Sequence, residues 1–398
     1  MNAENIDIPR LATPLERLRT QLRAESLDGL VILHTSDLRW LTGWEQVFDS
    51  EPAHAGLVTD AAAKLHTDGR YAHAMRERAR EQGCRAPGGG EGRALAPWTV
   101  DDERVGHAAF VIQRIFEEHP EPGVTLRVGI EDDIPLNRYR ALNKAVAEQG
   151  QGKAAVELVE TTDLVVRLRA QKDASELVSL RRAQQIADAA FADLLVWLRP
   201  GRTEVECAQA LERLMVQHGA QECSFSTIVA SGPHSANPHA VPTGRCLQEG
   251  DLVVIDFGAR YNDYCSDATR TLCVGEPSDE QRTLYDAVLE AHEAARALLA
   301  PGVTGKQAHE CALAVLARHE LDEYFTHSLG HGVGLDIHEL PSLSPVSDDV
   351  LAAGSVVTVE PGAYLPGLGG VRIEDCGVVT DQGFSSFTGL TRELIVIE

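Results

Sequence analysis

Two apolar runs in the second half of the chain each end on a carboxylate and, after a turn, return to another. The first is Leu252-Val253-Val254-Ile255, followed at once by Asp256; the chain comes back through Tyr264, Asp267 and Thr269. A turn centred on Tyr261-Asn262 predicts a hairpin with Asp256 directly opposite Asp267. Cross-strand partners have Cβ atoms about 4.5–5.5 Å apart, and two like charges at that spacing repel unless a proton or a cation lies between them. The second run, Val356-Val357-Thr358-Val359, ends on Glu360-Pro361-Gly362, reverses through Leu365 to Gly370 and returns by Val371-Arg372-Ile373 to Glu374. Its midpoint, Gly367, predicts Glu360 opposite Glu374.

Helices frame both hairpins. Asp173 with Glu176 makes a capping box for a helix from Ala174 to Leu198, stopped by Pro200-Gly201. Thr203 with Glu206 opens a helix ending near Gly219, Ser278 with Gln281 one ending at Pro301-Gly302, and Thr304 with Gln307 one running to about His319. Two helices and a carboxylate hairpin therefore occur twice, which predicts a duplicated α+β half. Before residue 160 the texture differs. A helical pattern from Pro14 to Glu25 precedes the strand Gly29 to Leu33, further strands fall at Ala55 to Val58 and Val128 to Ile130, and Gly83 to Trp98 reads as a surface loop. That alternation favours an α/β layer on a mainly parallel or mixed sheet. A boundary between 160 and 172 gives a smaller α/β domain, 1–165, and an α+β domain, 166–398; 398 residues are too many for one ordinary core.

The formal net charge of −24 argues against binding a polyanion such as nucleic acid. No apolar run approaches the roughly 20 residues that span a bilayer, and Met1 to Arg10 carries acids and a proline where a signal peptide needs basic and then apolar residues. A cytoplasmic protein is expected. The eight cysteines, Cys84, Cys207, Cys223, Cys246, Cys265, Cys273, Cys311 and Cys376, contain no CxxC pair and read as reduced, mostly buried thiols.

Four clustered carboxylates suit two hard divalent cations, which bridging oxygens hold about 3.5–4 Å apart. A nitrogen donor is expected from His327-Ser328-Leu329-Gly330-His331-Gly332-Val333-Gly334, where glycines on both sides of His331 allow close approach. Each piece alone has a plainer explanation: a strand-end Asp as a turn residue, Glu374 as a partner for Arg372. Two hairpins with acid pairs plus a glycine-flanked histidine are harder to explain that way, and the expected cage is Asp256, Asp267, His331, Glu360 and Glu374.

These motifs closely resemble the creatinase/prolidase/methionine-aminopeptidase superfamily with the pita-bread fold, and within it the Xaa-Pro peptidases, prolidase and aminopeptidase P. The catalytic match runs from about 172 to 398, while Leu38-Arg39-Trp40-Leu41-Thr42-Gly43 is similar to the family's N-terminal domain. The resemblance implies that Asp256 binds one metal, that Asp267 and Glu374 bridge both, and that His331 and Glu360 complete the second. It implies a metal-bridging hydroxide as nucleophile, Glu360 as base and proton shuttle, and His338 stabilising the tetrahedral intermediate. His239 is then expected to hold the substrate backbone, His327 to shape a proline pocket, and Arg372 to support that pocket or the bridging carboxylate. Manganese is the expected metal, with cobalt and zinc as alternatives, the substrate a proline-containing dipeptide or short peptide, and the assembly a homodimer.

One departure bears on substrate length. Similar-sized prolidases carry an arginine directly after the His-Glu-X-Pro stretch, associated with gripping a dipeptide's carboxylate; here His338-Glu339-Leu340-Pro341 is followed by Ser342. Arg39 or Arg70 is the candidate substitute. Xaa-Pro dipeptidase is favoured on chain length and the short Glu360-to-Glu374 loop, with aminopeptidase P as the alternative. A non-peptidase hydrolase or a non-catalytic binding protein of the same fold is more remote, since such relatives are expected to have lost ligands. His234, close to His239, matches no family position and is expected to be a loop residue.

Overall fold

The computed structural model describes residues 8–49, 51–84 and 98–398. Most of the stretch from Gly83 to Trp98 and the first seven residues, on which two of the expectations above fall, lie outside the described residues. The chain separates into two compact units, Ala12–Leu168 and Arg169–Glu398, the latter joined by the segment that ends at Leu11. Among the described residues no helix is long and apolar enough to cross a membrane.

The first unit is built on a six-stranded sheet in the order Thr99–Asp101, Ala63–Thr67, His54–Thr59, Gly29–Ile32, Thr125–Glu131, Ala155–Thr161. It is mixed: Gly29–Ile32 runs parallel to Thr125–Glu131 and antiparallel to His54–Thr59. The helix His107–Glu118 supplies Phe110, Ile112 and Ile115 to the core beneath Val31, Leu57 and Ile130.

In the second unit the four helices open on the four capping boxes expected of them. Ala174–Trp197, Glu204–Gln217, Asp279–Leu298 and Gly305–Arg318 each have the N-cap side chain accepting from the N3 amide while the N3 side chain reaches back. Each such cap contributes about 0.5–2 kcal/mol. The first helix pair packs on a four-stranded sheet, Ile395–Ile397, Ala268–Val274, Leu252–Phe257, Ile228–Ser231. The second pair packs on a five-stranded one, Glu339–Leu343, Gly330–Gly332, Val356–Val359, Asp375–Thr380, Gly383–Ser386. This is the duplicated α+β half. Leu252 to Ile255 are all buried, so both faces of that central strand are covered, which is why its sequence is apolar throughout rather than alternating.

The hairpin registers differ in outcome. In the second, Gly362 pairs with Arg372 and Val359 with Asp375, so Glu360 and Glu374 fall at matched positions between two ladders, as expected. In the first, Asp256 pairs with Thr269 and Phe257 with Ala268, not Asp256 with Asp267. The turn residues are Asn262 and Asp263, both at positive φ (48° and 69°), which is the two-residue hairpin geometry that Asn and Asp tolerate. Centring the turn one residue later shifts every pair by two. A shift of two keeps each side chain on the same face.

Candidate metal centre

The five expected ligands come from strands of both sheets and the residues that flank them. Asp256 lies on Leu252–Phe257, Asp267 immediately precedes Ala268–Val274, and His331 is the middle residue of Gly330–Gly332. Glu360 follows Val356–Val359, and Glu374 lies between Arg372 and Asp375. The glutamate backbones are satisfied elsewhere: the Glu374 amide donates to the Thr269 carbonyl at 3.1 Å and the Glu360 amide to the Leu329 carbonyl at 2.8 Å. The glycines around His331 prove necessary for a different reason from the one expected. A Cβ on Gly330 would lie 2.2 Å from the Thr358 carbonyl oxygen, and one on Gly332 2.3 Å from that of Leu340, so it is neighbouring backbone that requires glycine.

Donor atoms of Asp267, His331 and Glu374 lie within 4.8 Å of one another. The His331 Nε2 atom is 3.5 Å from Asp267 and 3.3 Å from Glu360. Two threonine hydroxyls orient the glutamates, Thr269 donating to Glu374 at 2.7 Å and Thr358 to Glu360 at 3.2 Å. Asp256 is held on one oxygen by Arg372 at 2.6 Å, while its other oxygen, Oδ1, is buried without a hydrogen-bond partner.

The electrostatics follow from this crowding. Burial, and then the charge of Glu374, Asp256 and Glu360, pushes the Asp267 carboxyl well above its ordinary range. Burial with Glu360 and Asp256 does the same to Glu374. Asp256 is raised by burial, with Arg372 opposing. Burial also acts on Glu360, but His331, His327 and Arg372 outweigh it and hold that group at about 2. Burial disfavours the His331 imidazolium, yet Glu360 raises it overall. Anions this close need protons or a cation to balance them. The residues fit a cation: hard oxygen donors with one imidazole, three donors mutually within reach, and a buried carboxylate oxygen otherwise unpartnered.

A cavity of about 490 Å³ opens over these groups, lined also by Phe225, Ile228, Pro238, His239, His327, Ile337, His338 and Arg372. The His327 Nε2 and the Tyr364 hydroxyl lie 2.8 Å apart, and Arg372 Nη1 donates to the same hydroxyl at 2.8 Å. Arg372 thus joins Asp256 to the His327 wall; it does not pair with Glu374. The His338 ring meets His331 edge to face at 4.3 Å. The next residue, Glu339, is anchored by Lys172 at 2.5 Å and by Arg169, both cations buried.

Ser342 lies in the strand Glu339–Leu343, its amide donating to Asp349 at 3.0 Å. In the first unit Arg70 pairs with Asp68 and Glu51, and Arg39 donates to the Phe48 carbonyl at 2.5 Å. Cys265 and Cys376 pack in an apolar cluster with Leu177 and Val356. Sequence reasoning missed Thr269, Thr358 and Tyr364 as site residues. Each threonine stands two places from a ligand, the spacing that puts strand residues on one face, and that signal was available. His234 is in a short 3₁₀ turn, Gly232–Ala236, with its Nδ1 3.0 Å from the buried Glu204.

Comparison with known proteins matches residues 178–381 to the model of metallopeptidase family M24, and residues 14–171 to the creatinase/prolidase N-terminal domain. An uncharacterized peptidase of Bacillus subtilis is 36% identical over 384 residues, covering 96% of this chain and 99% of that protein. A structure of an Xaa-Pro dipeptidase from Bacillus anthracis superposes with a TM-score of 0.84 at 36% identity, covering 96% of this chain and 99% of that one. An X-Pro aminopeptidase from Thermotoga maritima gives 0.80 at 30% identity, with the same shares covered.

Proposed function

The chain belongs to metallopeptidase family M24, with a creatinase/prolidase N-terminal domain, and from that premise we propose that it hydrolyses the bond between an N-terminal residue and proline. The observation that carries the reading is the convergence of Asp267, His331 and Glu374 beneath a cavity walled by His327. The Xaa-Pro activity in the names of its relatives supports the same substrate class. Asp256, Asp267, His331, Glu360 and Glu374 would hold two divalent cations, manganese first, with cobalt or zinc as alternatives. When bound, such cations polarise a peptide carbonyl and lower the pKa of water toward neutrality.

The chain's own groups do the remaining work. Glu360 takes the proton released by the attacking water and returns it to the leaving proline nitrogen. His338 donates a hydrogen bond to the oxygen on which charge develops, and His239 holds the substrate backbone. His327, with Tyr364 behind it, walls the proline ring. The whole is proposed to act in the cytoplasm as a homodimer.

Dipeptides are the favoured substrates, as in the Bacillus anthracis relative's name. The second reading, an aminopeptidase on longer peptides, draws on the Thermotoga maritima relative and on Ser342, which offers no cation to a dipeptide's carboxylate. Metal analysis together with a panel of Xaa-Pro and Xaa-Pro-Xaa peptides tests both. Preference for Xaa-Pro supports the dipeptidase and preference for Xaa-Pro-Xaa the aminopeptidase; absence of metal and of cleavage of either set defeats the enzyme reading. For His338→Ala, metal content is expected to stay at the wild-type level while kcat falls about 10²–10³-fold, the loss of one oxyanion donor. A variant that loses its metal instead would place His338 among the ligands.

A further inference from the structure

The segment 231–243, which carries Pro238 and His239 to the cavity, is closed at both ends on one buried carboxylate. Glu204, the first residue of the helix Glu204–Gln217, is fully buried. Its Oε1 accepts the Ser231 amide at 2.8 Å and the Ser231 hydroxyl at 2.7 Å. Its Oε2 accepts the Thr243 amide at 2.9 Å and the Thr243 hydroxyl at 2.6 Å. Between those ends, His234 Nδ1 stands 3.0 Å from Oε2 and 3.1 Å from Oε1.

Removing a carboxylate from water is costly unless donors replace the water. Here burial pushes Glu204 up, but the bonds from Thr243, Ser231 and His234 overcome it and hold the group below its ordinary value. The segment's far side is fastened to the site as well. Ser235 Oγ accepts the Gly370 amide at 2.9 Å, and Arg372 Nη1 donates to the Pro238 carbonyl at 3.2 Å. His239 itself is exposed, so its place depends on how firmly the segment around it is held.

We propose that Glu204 is a positioning residue that clamps segment 231–243 and thereby sets His239 over the cavity. The kinetic half of this rests on the function proposed above, in which His239 holds the substrate backbone. The Glu204→Gln side chain keeps the volume but turns one acceptor oxygen into a carboxamide NH2, a donor that faces the donating backbone amide of Ser231 or Thr243. Three proteins decide the matter: Glu204→Gln, His239→Ala and the double variant, each compared with wild type for metal content, kinetics and amide hydrogen exchange.

The expected result for Glu204→Gln is wild-type metal content, kcat/KM lowered at least about tenfold, and faster exchange confined to 231–243. The double variant is expected to be no slower than His239→Ala alone, because two residues acting through one contact are not additive. Should Glu204→Gln fail to fold, Thr243→Val removes one donor, the hydroxyl to Oε2, at an exposed position while keeping the backbone amide, and is expected to give the same pattern to a smaller degree. Wild-type kcat/KM, unchanged exchange in 231–243, or fully multiplying losses in the double variant would each overturn the proposal. A wild-type chain that cleaves no Xaa-Pro peptide defeats the functional reading alone, and the exchange comparison still tests the clamp.

Discussion

Asp267→Ala is expected to abolish peptide hydrolysis and to lower metal content in the same preparation, and Glu374→Ala to do likewise. Both carboxylates are almost fully buried, at 4% and 1% exposure, and with His331 they form a group whose donor atoms lie within 4.8 Å of one another. Loss of one removes several kcal/mol of cation binding and transition-state stabilisation, hence at least about three orders of magnitude in rate. The metal-free protein gives an independent readout. A buried carboxyl whose folded-state pKa is raised favours folding fully below its ordinary pKa, and that contribution is lost as pH rises through the raised value. At neutral pH the metal-free wild type carries the cost of Asp267 beside Glu374, and alanine at 267 removes it. The metal-free variant is therefore expected to melt no lower than metal-free wild type, although it gains less from added metal. Elemental analysis after dialysis and a peptide-release assay check the first claim; wild-type metal content in Asp267→Ala would show that the cage is wrongly drawn.

The parts of the molecule that could be read from the sequence are those set by local chemistry. Capping boxes at Asp173, Thr203, Ser278 and Thr304 place four helix starts because the cap and its partner are three residues apart. The Glu360–Glu374 register was legible because the reversal between them is symmetrical about Gly367, which has φ of 92°. The Asp256 register was misplaced because Asn262-Asp263, not Tyr261-Asn262, forms the turn, a choice decided by which side chains accept positive φ. Contacts between sheets were beyond such reasoning. Arg372 reaches Asp256, 116 residues earlier, and Glu204 reaches Thr243, 39 residues on. Neither follows from periodicity, since both depend on how separately formed elements dock. Arg372 was expected to support the His327 pocket or the bridging carboxylate; its bonds go to Tyr364 beside His327 and to Asp256 on another sheet.

The second large effect is on stability, and it arises from another such contact. Arg270 is completely buried, and its guanidinium is spent on the backbone. Nε donates to the Thr391 carbonyl at 2.6 Å; Nη1 donates to Thr269 at 2.9 Å and Glu374 at 2.5 Å; Nη2 donates to Leu390 at 3.0 Å and to the Asp375 carboxylate at 2.9 Å. One side chain therefore joins the strand Ala268–Val274, the start of Asp375–Thr380 and the segment near Leu390. Arg270→Met keeps an apolar stem of similar reach but takes the guanidinium from those carbonyls, of which Thr269 keeps the Glu374 amide, and leaves Asp375 to Arg392 and Ser386 beside a His292 whose ring nitrogens have no hydrogen-bond partner. Breaking a buried ion pair from one side costs about 3–5 kcal/mol, which in a unit of this size lowers Tm on the order of 10 °C. Arg270→Lys is not expected to rescue it, because a single ammonium cannot reach five acceptors arranged around a planar fork. The Glu374 carbonyl is among the groups released, so the loss should reach the metal site. Metal affinity of Arg270→Met is expected to fall, and saturating metal to recover part of the lost Tm by mass action, since a ligand that binds only the folded state stabilises it. Thermal melts with and without added manganese measure both terms. A melting temperature within roughly 2 °C of wild type would mean that other groups already satisfy what Arg270 holds, and that the segment bearing Glu374 is fixed by the ladders on either side of it.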